Sequence, residues 1–300
     1  MKNVFCLFFL LLTAALVSES RAQPCIETAV IMAPALSDAT RKAFEEKLAE
    51  ARTRHDLAPN APDAVIWLGR RLAYLGQYRE AIAVFSKGAA QFPSDARFLR
   101  HRGHRLISIR CFEEAIRDLK KAARLTRNRP DEVEPDGLPN ARNIPTSSLQ
   151  SNIWYHLALA YYVQGNFKKA LPAWKRCVDL STNPDGLVSS TNWYYMTLRR
   201  LGRDKQATKA LATIGDHLDV IENQDYLTLL QLYQGKRTEA ELRAALDTGS
   251  NTLSNATLGY GFGNWLLYNG REAEARVVFS QVLAGGQWSS FGFIAAEGEQ

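Results

Sequence analysis

The densest run of chemically capable side chains lies between Arg97 and Arg105. Arg97, Arg100, Arg102 and Arg105 alternate there with His101 and His104. Two histidines three positions apart share one face of a helix and can hold a metal ion together. The guanidiniums around them repel a cation, so they read as ordinary surface histidines, and no metal or cofactor is expected. Arginine forks receive carboxylates through two parallel hydrogen bonds, which points to anion recognition instead. No nucleophile–base arrangement is legible: the chain lacks G-x-S-x-G, a P-loop and H-E-x-x-H. Gly259-Tyr260-Gly261-Phe262-Gly263 is glycine-rich but falls where a helix is expected, so its glycines read as packing or helix-entry positions. The acids Asp131, Glu132, Glu134 and Asp136 sit in a proline-rich stretch, a poor frame for paired acid–base work. A non-enzyme is expected.

Composition agrees with a folded binding protein. The 300 residues are 46% hydrophobic and 23% charged, ordinary for a globular chain, with a net charge of +6. That excess favours acidic partners only weakly and gives no reason to expect nucleic acid. Lys2, the apolar run from Val4 to Val17 and the small-x-small signal Ser20-Arg21-Ala22 read as a leader over 1–22. Its removal leaves no stretch able to span a membrane stably, so an exported protein, periplasmic or secreted, is expected. Cys25, Cys111 and Cys177 then remain. An odd count is not a disulfide framework; free or buried thiols are expected, with a single bridge as the alternative in an oxidising compartment.

The elements that must position these residues follow a 34-residue period. In 63–93, two amphipathic helical patterns meet at Gly76, and Pro93 ends the second. Gly69 and Ala81 are small where the two helices cross, and Leu68, Leu72, Ile82 and Phe85 fill the space around them. Gly69 and Gly103 lie 34 positions apart, as do Ala81 and Ala115. The next equivalent alanine, Ala170, is displaced by a four-proline insert at 130–150. Arg102 and Arg110 depart from the pattern in the second repeat. Before the first repeat, Ser37 is a plausible N-cap for a helix over 38–55 that covers the open end of the array.

Leu68, Gly69, Gly76, Tyr78, Ala81, Phe85 and Pro93, with Trp154, Leu157, Ala158, Tyr161, Gly165, Phe167 and Ala170 further on, resemble the tetratricopeptide repeat. The resemblance implies an all-α, right-handed superhelical solenoid of about six helix pairs. The expected layout is a leader (1–22), an N-terminal segment with a capping helix (23–61), repeats 1–2 (62–129), the acidic insert (130–150), repeats 3–6 (151–286) and a C-terminal cap (287–300). It further implies a concave groove lined by the first helix of each pair, where such proteins bind peptides. Projected onto this chain, that lining offers Arg70, Tyr74, Arg97, Arg100, His104, Asn152, Tyr155, Tyr162, Asn192, Arg199, Arg200, Tyr260, Asn264 and Tyr268. The expected function is a non-catalytic scaffold or assembly factor binding a protein or an extended acidic peptide. Two rivals stand beside it: a glycan or cell-wall binder stacking sugars on Trp154, Tyr155, Tyr162 and Tyr260, and an enzyme of unrecognised type near Arg97, His104 and the insert. The insert itself reads either as a solvated spacer or as a lid folded back over Arg97, Arg100 and Arg105.

Overall fold

The computed structural model describes residues 25–246 and 253–300, so the expected leader over 1–22 lies outside the described residues. The described chain is helical almost throughout. Helix α1 (Asp38–Leu57) is followed by six helix pairs: α2 (Pro62–Tyr74) with α3 (Tyr78–Gln91), α4 (Ala96–Ser108) with α5 (Phe112–Leu125), α6 (Leu149–Tyr162) with α7 (Phe167–Asp179), α8 (Pro184–Arg200) with α9 (Asp204–Leu211), α10 (Gln224–Tyr233) with α11 (Glu239–Leu246), and α12 (Leu253–Tyr268) with α13 (Glu272–Ala284). A short helix, α14 (Phe291–Glu297), ends the chain. Each pair packs on the next, and the first helix of each pair also touches the first helix of its neighbour. The result is an all-α solenoid whose inner side is built from α2, α4, α6, α8, α10 and α12.

The small residues act where the sequence places them. A Cβ on Gly69 would stand 2.5 Å from the Phe85 ring, one on Gly103 2.7 Å from Leu119, and one on Gly263 2.5 Å from Phe279. The three crossings are the same contact repeated along the array. Ala81, Ala115, Ala170, Ala207 and Ala275 on the second helices are almost wholly buried. The turn inside a pair needs a left-handed residue, and Gly76, Gly165, Gly202, Gly235 and Gly270 supply it with φ between 66° and 80°. The second pair differs: Arg110 holds that conformation with φ 64°. A side chain there is strained, so something else must hold it.

Three segments outside the repeats are bound to the solenoid. Ser37 caps α1, its hydroxyl accepting from the Thr40 amide at 3.2 Å. Ahead of it, Cys25 is joined to Cys111, while Cys177 is free and buried. The single bridge is therefore the arrangement found, and the expectation of free thiols holds only for Cys177. Arg79 fastens the same segment by donating to the carbonyls of Ile26, Glu27 and Ala29. The insert is an ordered loop that folds back over the inner side, with an isolated antiparallel bridge between Val133 and Ser148. The C-terminal segment was expected to cover the open end of the last pair. It does pack on α12 and α13. It also runs across the concave side as far as Tyr78, whose ring lies 6.0 Å from that of Trp288.

Gly69→Ala would push a methyl into the Phe85 ring. Urea denaturation should show a loss of roughly 1–3 kcal/mol, in the range of overpacked cores; an unchanged midpoint would disprove the close-crossing account.

Candidate functional site

The concave side carries a line of polar and aromatic residues, and non-repeat segments meet most of them. Arg70 donates to the Pro135 carbonyl at 2.8 Å, and Arg71 to the Gly137 carbonyl at 2.9 Å. The Tyr74 hydroxyl lies 3.4 Å from Arg70 Nη2. Arg100 pairs with Glu134 at 2.8 Å, both almost fully buried. The insert therefore lies over Arg70, Arg71 and Arg100. Of the three arginines named for a lid, Arg97 and Arg105 find no carboxylate in it. Arg97 is taken by Asp95 and Asp63, each at 2.7 Å, and these carboxylates raise its pKa.

Further along, the occupant is the chain's own C-terminus. Arg110 forks onto Glu297 with both bonds at 2.8 Å, donates to the Trp288 carbonyl and stacks over the Trp288 ring at 4.0 Å. These contacts hold its left-handed backbone. Phe291 enters an aromatic nest, with ring centroids 5.4 Å from His104, 5.5 Å from His156 and 6.0 Å from Tyr155. Arg200 pairs with Glu299 at 2.6 Å, reaches Asn264 Oδ1 at 3.2 Å and lies over the Phe167 ring. The Tyr260 hydroxyl is 2.9 Å from that of Tyr162 and 3.3 Å from Glu299 Oε1, and Asn264 Nδ2 donates to Tyr162 at 2.7 Å.

Several expected groove residues are thus not open to a ligand. Tyr162, Asn192, Tyr260 and Asn264 are each no more than 2% exposed. The inner helices pack on one another and the C-terminal segment covers them, so a projection from helix positions alone overstates what the groove presents. Arg199 lies over the Tyr268 ring at 4.4 Å and pairs with Asp204. Asn152 donates to the Ser147 hydroxyl, and its carbonyl receives His156 Nδ1–H at 2.6 Å. Tyr155 meets the Tyr226 hydroxyl at 3.2 Å and turns its ring edge to Trp174.

Arg100, His104, Asn152 and Tyr155 remain on an accessible feature: a cavity of about 710 Å³ at the centre of the concave side. Cys177 lies in its wall, but burial pushes the thiol up to about 12, so it stays protonated. His101, His104 and His156 have pKa values well below the ordinary histidine value, chiefly through desolvation, and are neutral. Among the described residues the one cluster with metal-ligand spacing is Cys25, Cys111 and Glu114, whose two sulfurs are spent in the disulfide. Arg110, His156, Phe291, Glu297 and Glu299 escaped sequence reasoning. Arg110 alone left a signal: an arginine where the 34-residue period calls for glycine.

Stacked helix pairs with an extended inner face form an architecture that suits an interaction scaffold. Residues 151–184, α6 with α7, match the sequence model of the tetratricopeptide repeat family. The pairs around it repeat the same arrangement of two antiparallel helices joined by a tight turn. No curated protein matches the chain. Among solved structures it is similar to YrrB, described as a tetratricopeptide-repeat protein with an unusual peptide-binding site (15% identity, 78% of this chain and 91% of that one, TM-score 0.44). It is similar to the MamA protein (15% identity, 72% and 93%, TM-score 0.44). It is also similar to a putative kinesin light chain from Podosopora anserina with nearly identical repeats (14% identity, 76% and 95%, TM-score 0.45). At these TM-scores the likenesses carry no functional argument.

Arg110→Gly removes the fork to Glu297 and relieves the left-handed backbone together. Hydrogen exchange over 288–299 should rise at least several-fold, while global stability stays within about 1 kcal/mol because the strain relief offsets part of the loss. Unchanged exchange would show that Arg110 does not hold the segment.

Proposed function

We propose that this protein is a non-catalytic scaffold acting outside the cytoplasm, whose concave face takes a partner's peptide segment bearing an aromatic anchor followed by acidic residues. One observation carries the reading: the chain's own segment from Trp288 to Glu299 lies on that face in this manner. Phe291 fills the nest of His104, Tyr155 and His156, and Glu297 and Glu299 meet Arg110 and Arg200. A partner segment of the same chemistry replaces it. The apolar anchor supplies most of the affinity, and the charge-assisted pairs set direction and register. The leader pattern and the Cys25–Cys111 bridge support a site of action in an oxidising compartment. Of the four rings a glycan would stack on, Tyr162 and Tyr260 are buried, so the peptide reading is preferred to a glycan binder.

The test uses a fluorescent peptide of residues 287–300. By anisotropy it should bind, in trans and with roughly micromolar affinity, a chain ending at Gly286, and full-length protein should bind it far more weakly. Arg200→Gln in the shortened chain should weaken it about tenfold, as expected for a lost charge-assisted pair. If the shortened chain does not fold, full-length protein carrying Glu297→Gln and Glu299→Gln should gain peptide binding over the parent. Failure of both to bind would sink the proposal.

A further inference from the structure

The cavity of about 710 Å³ is closed by segments that the repeats do not supply. Pro34, Val133, Asp136 and Phe291 come from the N-terminal segment, the insert and the C-terminal segment, and α4, α6, α7, α8, α10 and α12 with the turns between them form the rest of its wall. Its size is that of a small-molecule site.

His104 and Arg105 face it from α4. Arg105 Nη2 lies 2.6 Å from His104 Nδ1. A guanidinium can only donate, so Nδ1 accepts and the imidazole proton sits on Nε2. The pair therefore offers donors alone: Nε and Nη1 of Arg105 and Nε2–H of His104, none with a protein acceptor among the described residues.

Arg105 is unlike the other arginines packed at the inner side. Arg100, Arg110 and Arg200 each have a carboxylate. Arg70 and Arg71 lack one but donate to backbone carbonyls instead. Arg105 has only a neutral imidazole and the Tyr78 ring at 5.9 Å. Desolvation draws its pKa down to about 10. A partly buried cation left this way costs free energy that an anion would recover. The cavity's own carboxylates do not serve. Glu222 receives Asn140 and Thr146, Asp225 receives the Ser254 hydroxyl, and Asp136 makes no ion pair with Arg105. These three acids disfavour a second anionic group on anything bound. Ser151, Asn152, Ser189, Asn223 and Tyr226 give the remaining wall hydroxyl and amide character.

We propose that the cavity binds a small organic molecule carrying one anionic head group, a carboxylate or a phosphate, received by Arg105 and His104, on an uncharged hydroxylated body. The site exists with the C-terminal segment in place, so it does not depend on capture of a partner peptide.

Calorimetry and thermal unfolding of the full chain without its leader, with galacturonate, glucose 6-phosphate, glucose and inorganic phosphate as probes, test this. At least one charged sugar should bind and raise Tm, and glucose should not. Binding of galacturonate alone assigns a carboxylate head, and of glucose 6-phosphate alone a phosphate head. Arg105→Gln should weaken that binding at least tenfold without lowering the Tm of the unliganded protein, since it removes an uncompensated cation; a purely structural arginine would lower it. Should that variant fail to fold, His104→Asn should weaken the same binding. The proposal is overturned if neither charged sugar binds, if inorganic phosphate binds as tightly as glucose 6-phosphate, or if both variants bind like the parent.

Discussion

The structure depends on how closely two helices can approach at one small residue. Gly69 against Phe85, Gly103 against Leu119 and Gly263 against Phe279 bring each first helix onto its partner without an intervening Cβ. That contact recurs along the chain, so the pairs stack with a constant sense and their first helices gather on one side. A larger residue at any of these positions would force the helices apart and change the angle to the next pair. The concave side is a consequence of this spacing.

Gathering the first helices on one side also gathers their charges. Arg70, Arg100, Arg105 and Arg200 converge on a surface poor in acids of its own. A partly buried guanidinium needs an acceptor. The insert brings Glu134 and two backbone carbonyls, and the C-terminal segment brings Glu297 and Glu299. The non-repeat segments therefore complete the electrostatics of the inner face as well as its packing. Arg110 shows the cost accepted for this. It occupies a backbone conformation that glycine fills in the other pairs, and its side chain stacks on Trp288 and forks onto Glu297.

The two functional proposals use opposite ends of one principle. Where a guanidinium already has a carboxylate, the segment supplying it is the model for the proposed ligand. Where a guanidinium has none, the missing acceptor describes a ligand yet to arrive. Arg110 and Arg200 belong to the first kind, and Arg105 to the second.

The sequence by itself determined the repeat. Helix formation and the close crossing are local, so the 34-residue recurrence of small, aromatic and turn residues was enough to give the pairs, the all-α architecture and the capping helix after Ser37. It also marked Arg110 as out of place and raised the prospect that the insert folds back. Tertiary structure decided the site. Arg110 and Glu297 are 187 residues apart in sequence, and Cys25 and Cys111 are 86 apart. No periodic pattern links such partners, because their meeting is set by how the whole array curves. For the same reason helix projection named Tyr162, Tyr260 and Asn264 as groove residues when the folded chain buries them under its own C-terminus. It passed over Arg105, whose significance lies in the acceptor it lacks.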